Sequence, residues 1–206
     1  MHGESAIRDE AVVVHRGDAG EVHWRYTFLT AGHGWVSALR RKPGKRAQRS
    51  APPDLFDHGD ITVPARRSGA PLVLDEFRPV RSHRELAKNA AAFSAAARLA
   101  NLMRFNLDHS ESTESAFRLL VETLDALCAR PRPDAALFKA VYRLAREEGY
   151  PVREEWAAGL PPQERVAARD LLRQPLDAVQ SSADTTEAVT SNLLLYLAGH
   201  CHWRLP

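Results

Sequence analysis

The chain has 206 residues and a mass of 22.9 kDa; 44% of its residues are apolar, 26% are charged, and 28 Lys and Arg stand against 26 Asp and Glu. That apolar content can offset chain entropy, which excludes wholesale disorder. Only two cysteines, Cys128 and Cys201, are present, which excludes a disulfide scaffold and a four-cysteine zinc site.

No stretch reaches the roughly 18 apolar residues of a spanning helix; Ala90 to Met103 comes nearest, but it is mostly alanine and holds Arg98 and Asn101. Met1 to Ser5 lacks a basic and then apolar leader, so a soluble, intracellular protein is expected.

The first ~80 residues read as strands. Ala11–Val14 is β-branched and meets turn residues at Gly17–Gly20. In Val22 to Phe28, Val22, Trp24, Tyr26 and Phe28 point one way while His23, Arg25 and Thr27 point the other. Trp35 to Leu39 follows the turn Ala31–Gly34, and Leu55-Phe56 with Ile61–Val63 and Leu72–Leu74 with Phe77 complete about five strands.

At Pro79 the period changes. Ser82 and Glu85 have capping-box spacing ahead of a stripe from Leu86 to Leu107. Further helices are expected over Glu114–Ala129, from Pro133 through Leu144 to a Gly149 cap, from Pro161-Pro162 through Leu172, and from Asp184 to Gly199. Gln180 to Thr186 is expected to be mobile. The fold class is therefore α+β: a five-stranded, OB-fold-like β-barrel over 1–80, then an all-α helical domain over 81–206. An SH3-like barrel fits the strand spacing nearly as well, and spacing does not decide between them.

No phosphate-cradling glycine loop, dinucleotide fingerprint, nucleophile elbow or zincin helix occurs. Glu147-Glu148 and Glu154-Glu155 read as solvated carboxylates. His200-Cys201-His202 places three ligand types in a row, but neighbouring side chains diverge, so a docked tail anchored by Trp203 and Leu205 is the plainer reading. A hydrolase or metal enzyme built on these three residues is the weakest alternative, and no metal or other cofactor is expected.

Charge distribution is more informative. Residues 1–81 hold 13 basic and 10 acidic side chains, and six of the cations (Arg40, Arg41, Lys42, Lys45, Arg46 and Arg49) fall in one ten-residue window without an acid. Such a window reads as an exposed loop whose self-repulsion a polyanion would relieve by counterion release. Arginine predominates, which suits forked phosphate contacts. Arg25 and Trp35 lie on the adjoining strands and are expected to assist, Trp35 as a stacking surface.

The order of these features resembles the RecO recombination mediator family of bacteria. The residues that carry the resemblance are Glu10–Val14, Gly20-Glu21, Thr27–Thr30 and His33–Ala38 running into the basic window and Ser50; then Ala136–Leu144 with Glu148–Pro151, and finally Leu193–His200. The resemblance implies an N-terminal OB-fold on a helical domain, binding of single- and double-stranded DNA, and annealing of complementary strands. It also implies partnership with a RecR-like protein and single-stranded-DNA-binding protein, a cytoplasmic, nucleoid-associated location, and no enzymatic activity. Two departures stand out. Val152 to Arg173 holds no cysteine where many relatives have a zinc module, which implies a zinc-free, shortened variant. Lys42 follows Arg41 where the family usually has an Arg-Gly pair. The alternative function is a protein–protein interaction module whose helical domain docks a partner subunit or a peptide tail.

Overall fold

The computed structural model of the chain describes residues 6–42, 52–65, 69–107 and 113–205. Alternation of apolar and polar side chains builds five strands: β1 (Ile7–Ala19), β2 (His23–Thr30), β3 (Gly34–Arg41), β4 (His58–Val63) and β5 (Glu76–Arg81). They form one open antiparallel sheet in the order β3-β2-β1-β4-β5. The expected α+β class, sheet first and helices after, is observed; the sheet, however, is open rather than a closed barrel. One parallel bridge joins Leu39 of β3 to Val73, just ahead of β5.

Several strand limits differ from the expected ones; the last strand is Glu76–Arg81, and of Leu72–Leu74 only Val73 forms a bridge. β1 runs through Gly17 and Asp18 to Ala19, because these residues pair with Arg25, Trp24 and His23 of β2. The turn comes at Gly20, where φ is +71°, a conformation that favours glycine. β3 continues past Leu39, so Arg40 and Arg41 are strand residues opposite Trp24 and His23. Leu55 and Phe56 lie in the turn before β4, and Phe56 takes a positive φ of 65°.

The inner face of the sheet carries the core: Val13, Tyr26, Phe28, Val36, Ile61 and Phe77 pack together. Tyr26, Phe28 and Phe77 form a column, with centroids 5.9 and 6.4 Å apart and rings near parallel. Full burial of a ring such as Phe28 contributes on the order of 2–3 kcal/mol. Between Val13 and His15 the register shifts by a bulge at Val14, which bends and twists β1.

The helices are α1 (Ala90–Asn106), α2 (Thr113–Ala129), α3 (Pro133–Glu147), the three-residue α4 (Ala157–Gly159) that continues a π turn at Val152–Trp156, α5 (Pro162–Arg173) and α6 (Ala183–Cys201). The expected capping box at Ser82 is not used. Ser82 donates its hydroxyl to Asp57 at 2.8 Å, a short 3-10 turn fills Arg84–Lys88, and Asn89 caps α1 through the amides of Ala91 and Ala92 at 3.1 Å. α6 opens on Ser182, whose hydroxyl accepts from the Thr185 amide. The stretch expected to be mobile is tied down, since one carboxylate oxygen of Asp170 accepts the amides of Gln180 and Ser181 and the Ser181 hydroxyl at 2.8–3.0 Å.

The chain divides into two compact units. One holds the sheet, residues up to Arg84, and the start of α2 up to Arg118; the other holds Glu85 to the end of α1 and everything from Leu119 onward. No helix among the described residues is long and apolar enough to cross a membrane.

Candidate nucleic-acid interface

The β2–β3 hairpin is two strands without a single carboxylate, HWRYTFLT and GWVSALRR. Antiparallel pairing puts directly opposed residues on the same face. The register pairs His23 with Arg41, Arg25 with Leu39, Thr27 with Ser37 and Leu29 with Trp35. Arg25, Ser37 and Arg41 are exposed, and His23, Thr27, Trp35 and Leu39 are half-buried. The structure therefore brings Arg25, Trp35 and Arg41 onto one face with His23. The second half of β1 extends that face with His15, opposite Thr27, and Gly17, opposite Arg25.

The turn between β2 and β3 is braced from β1. One Asp9 carboxylate oxygen accepts the Gly32 amide at 2.8 Å and lies 2.7 Å from His33 Nδ1. Burial alone would raise the Asp9 carboxyl; the hydrogen bonds from His33 and from the Gly32 and Glu10 amides outweigh it and hold the group below its ordinary range. The Thr30 hydroxyl accepts the His33 amide and donates to the Gly34 carbonyl, both at 3.0 Å. Both strands thus leave the turn in fixed register.

Arg40 lies elsewhere. Its parity with Val36 and Ala38 turns it to the inner face, where it is 8% exposed. Burial pulls its guanidinium below the ordinary arginine range, partly countered by Tyr26. Arg16 occupies the same end of that face: it lies opposite Tyr26, stacks over Trp24 at 5.2 Å and sits 3.4 Å from Asp54. Sequence reasoning missed Arg16; the parity of β1 against β2 past the bulge is the signal that places it. Lys42 is anchored at the β1–β2 turn. Its Nζ lies 2.7 Å from Asp18 and donates to the Gly20 carbonyl at 3.3 Å, and its amide donates to the Val22 carbonyl at 2.8 Å. Lys45, Arg46 and Arg49 lie outside the described residues.

The far half of the same sheet has the opposite sign. Glu10, Asp60 and Arg78 stand in one row across β1, β4 and β5, and Thr62 and Glu76 in the next. A groove of about 550 Å³ over them is lined by five carboxylates and two arginines. These carboxylates stand on the β4–β5 side of the sheet, apart from Arg25 and Arg41.

Among the described residues no group of three or more His, Cys, Asp and Glu could hold a metal ion. His200 stacks on Tyr196 at 4.7 Å, Cys201 ends α6 and His202 takes a left-handed φ of 58°, so these three neighbours do not converge. No protein-family model matches the chain, and no curated protein matches its sequence.

Proposed function

We propose that the chain is a non-enzymatic DNA-binding and strand-annealing protein of recombinational repair, similar in kind to the RecO mediators. The observation that carries the reading is the outer face of β2–β3, which Arg25, Arg41 and His23 share with Trp35, with no carboxylate on either strand. Arg41 and Lys42 lead directly into the remaining cations of the window. Phosphates bind Arg25, Arg41 and that window, while bases stack against Trp35. Arg40 stands on the inner face, apart from this surface.

The strand order also favours an OB-type arrangement. The Leu39 amide donates to the Leu72 carbonyl at 2.8 Å, and the Leu74 amide donates to the Leu39 carbonyl at 2.9 Å. These bonds bring the β3 edge to the segment that leads into β5, the two edges an OB barrel joins. A RecR-like protein and single-stranded-DNA-binding protein are the partners the resemblance implies, and the place of action would be the nucleoid. Filter binding with labelled oligonucleotides tests the reading: affinity at ~50 mM salt should fall roughly tenfold or more by ~200 mM as phosphate contacts lose their counterion-release gain, whereas no binding at low salt would end it.

A second reading, an interaction module acting through its helices, is favoured by one feature. A groove of about 540 Å³ runs beside Trp156, Asn192, Leu195 and Tyr196, and Leu195 is 67% exposed on it. Partner capture that survives nuclease treatment and neutralisation of Arg25 and Arg41 would support that reading over the first.

A further inference from the structure

A second carboxylate-free group of cations lies in the helical unit. Arg153, Arg165, Arg169 and Arg173 line a groove of about 430 Å³, and no Asp or Glu lines it with them. Three of these arginines follow one another at four-residue intervals along α5, so they stand about 6 Å apart on one side of the helix. Like charges at this spacing destabilise a helix. The acids of α5 make their hydrogen bonds elsewhere: Asp170 accepts from Gln180 and Ser181, and Glu164 accepts from Asn192 at 3.0 Å. Arg165 is fixed in place, donating to the carbonyls of Ala158 and Leu160 at 2.8 Å each. Among the described residues the side chains of Arg169 and Arg173 make no hydrogen bond or ion pair. Beneath the row, Leu160, Ala168 and Leu172 give the groove an apolar floor.

We propose that this groove binds one single strand of nucleic acid, with its phosphates on the α5 arginine row and its sugars and base edges on the apolar floor. The three arginines recur on one side of α5, one helical turn apart. A duplex would leave the floor in water, because its bases face each other; a single strand has base surface to lay on it. The proposal rests on the DNA-binding reading above and adds a second strand site, in the other unit. Two polyanion sites on one chain would let one protein hold both strands of an annealing pair.

The test uses the full chain with fluorescein-labelled oligothymidylates of about ten nucleotides, short enough to occupy one site, together with annealing of complementary oligonucleotides. At low salt the protein should bind two oligonucleotides per chain. Arg169→Glu with Arg173→Glu should bind one and anneal roughly tenfold more slowly, while the Arg169→Lys, Arg173→Lys pair should keep both sites. Unchanged stoichiometry and annealing rate in the glutamate pair would overturn the inference. So would loss, in that pair, of binding to an oligoglutamate peptide alone, which would make the groove a peptide site. Arg25→Glu with Arg41→Glu separates the two ideas: if it leaves all oligonucleotide binding intact, the sheet reading fails and the α5 site stands.

Discussion

Lys42 Nζ lies 2.7 Å from Asp18 Oδ1, so the first residue beyond β3 is bound to the end of β1 by a carboxylate of the same chain. The carboxylate is 75% exposed on its side chain, and such pairs contribute roughly 0–1 kcal/mol. It competes with phosphate for a cation of the basic window. Asp18→Asn should therefore leave thermal stability within about 0.5 kcal/mol and tighten oligonucleotide binding by roughly two- to threefold at low salt. Weaker binding in this variant would show that Lys42 must be held by Asp18 to work.

Arg132 clips two parts of the helical unit together. Its Nε and Nη2 hold the Asp134 carboxylate at 3.0 and 2.7 Å, and the same guanidinium donates to the carbonyls of Val179 and Ser181 at 3.1 and 2.8 Å. One side chain thereby joins the start of α3 to the approach to α6. Arg132→Ala leaves a partly buried carboxylate and two carbonyls without their donor, and should lower stability by about 2–3 kcal/mol in urea unfolding. Lysine should not rescue it, because an ammonium cannot reproduce the fork.

Asp134 gives the acid limb of stability a definite sign. Burial alone would raise its carboxyl, but the Arg132 hydrogen bond and the Ala135 amide outweigh burial and hold it below the ordinary value of 3.8. The folded chain therefore binds fewer protons here than the unfolded chain. The stabilisation is present above about pH 4 and is lost as pH falls through the folded value. Asp9 shifts the same way. Urea midpoints measured from pH 6 to pH 2 should fall below pH 4, and Asp134→Asn should flatten part of that fall; an equally steep fall in the variant would contradict this account.

Gly59 marks a close approach of backbones. A Cβ there would overlap the Arg78 carbonyl and meet Phe77 Cζ at 2.9 Å. Backbone cannot yield as a flexible side chain can, so Gly59→Ala should destabilise the sheet unit by about 2 kcal/mol or more and weaken the pairing of β4 with β5. A thermal midpoint within a degree of the unsubstituted protein would show that β5 shifts at little cost.

Much of this was legible in the sequence where one face of an element is apolar. The alternation from Trp24 to Phe28 fixed the inner and outer faces of β2, and Pro133 and Gly149 marked the limits of α3. The misread points are those decided by pairing across the chain. Gly17 and Asp18 look like a turn, but β2 holds them in a strand. Ser82 looks like a cap, but Asp57 takes its hydroxyl and Asn89 caps instead. Arg40 reads as one of six equal cations; two more residues of β3 pairing turn it inward and Arg41 outward. Arg25 joins the face of Trp35 and Arg41 through the register of β2 against β3, which local spacing does not encode. The i, i+4 row of Arg165, Arg169 and Arg173 was visible in the sequence, but the groove beside it required the fold.

We propose the outer face of β2–β3 as a phosphate-binding surface. An electrophoretic mobility shift with single- and double-stranded oligonucleotides across a salt series, comparing the protein with its Arg25→Glu, Arg41→Glu variant, tests it most directly. The expected result is binding at ~50 mM salt that weakens steeply as salt rises, with the variant bound more weakly and its log–log salt slope shallower by about 2. Equal affinity and equal slope for the two proteins, or no shifted band at any salt, would contradict it.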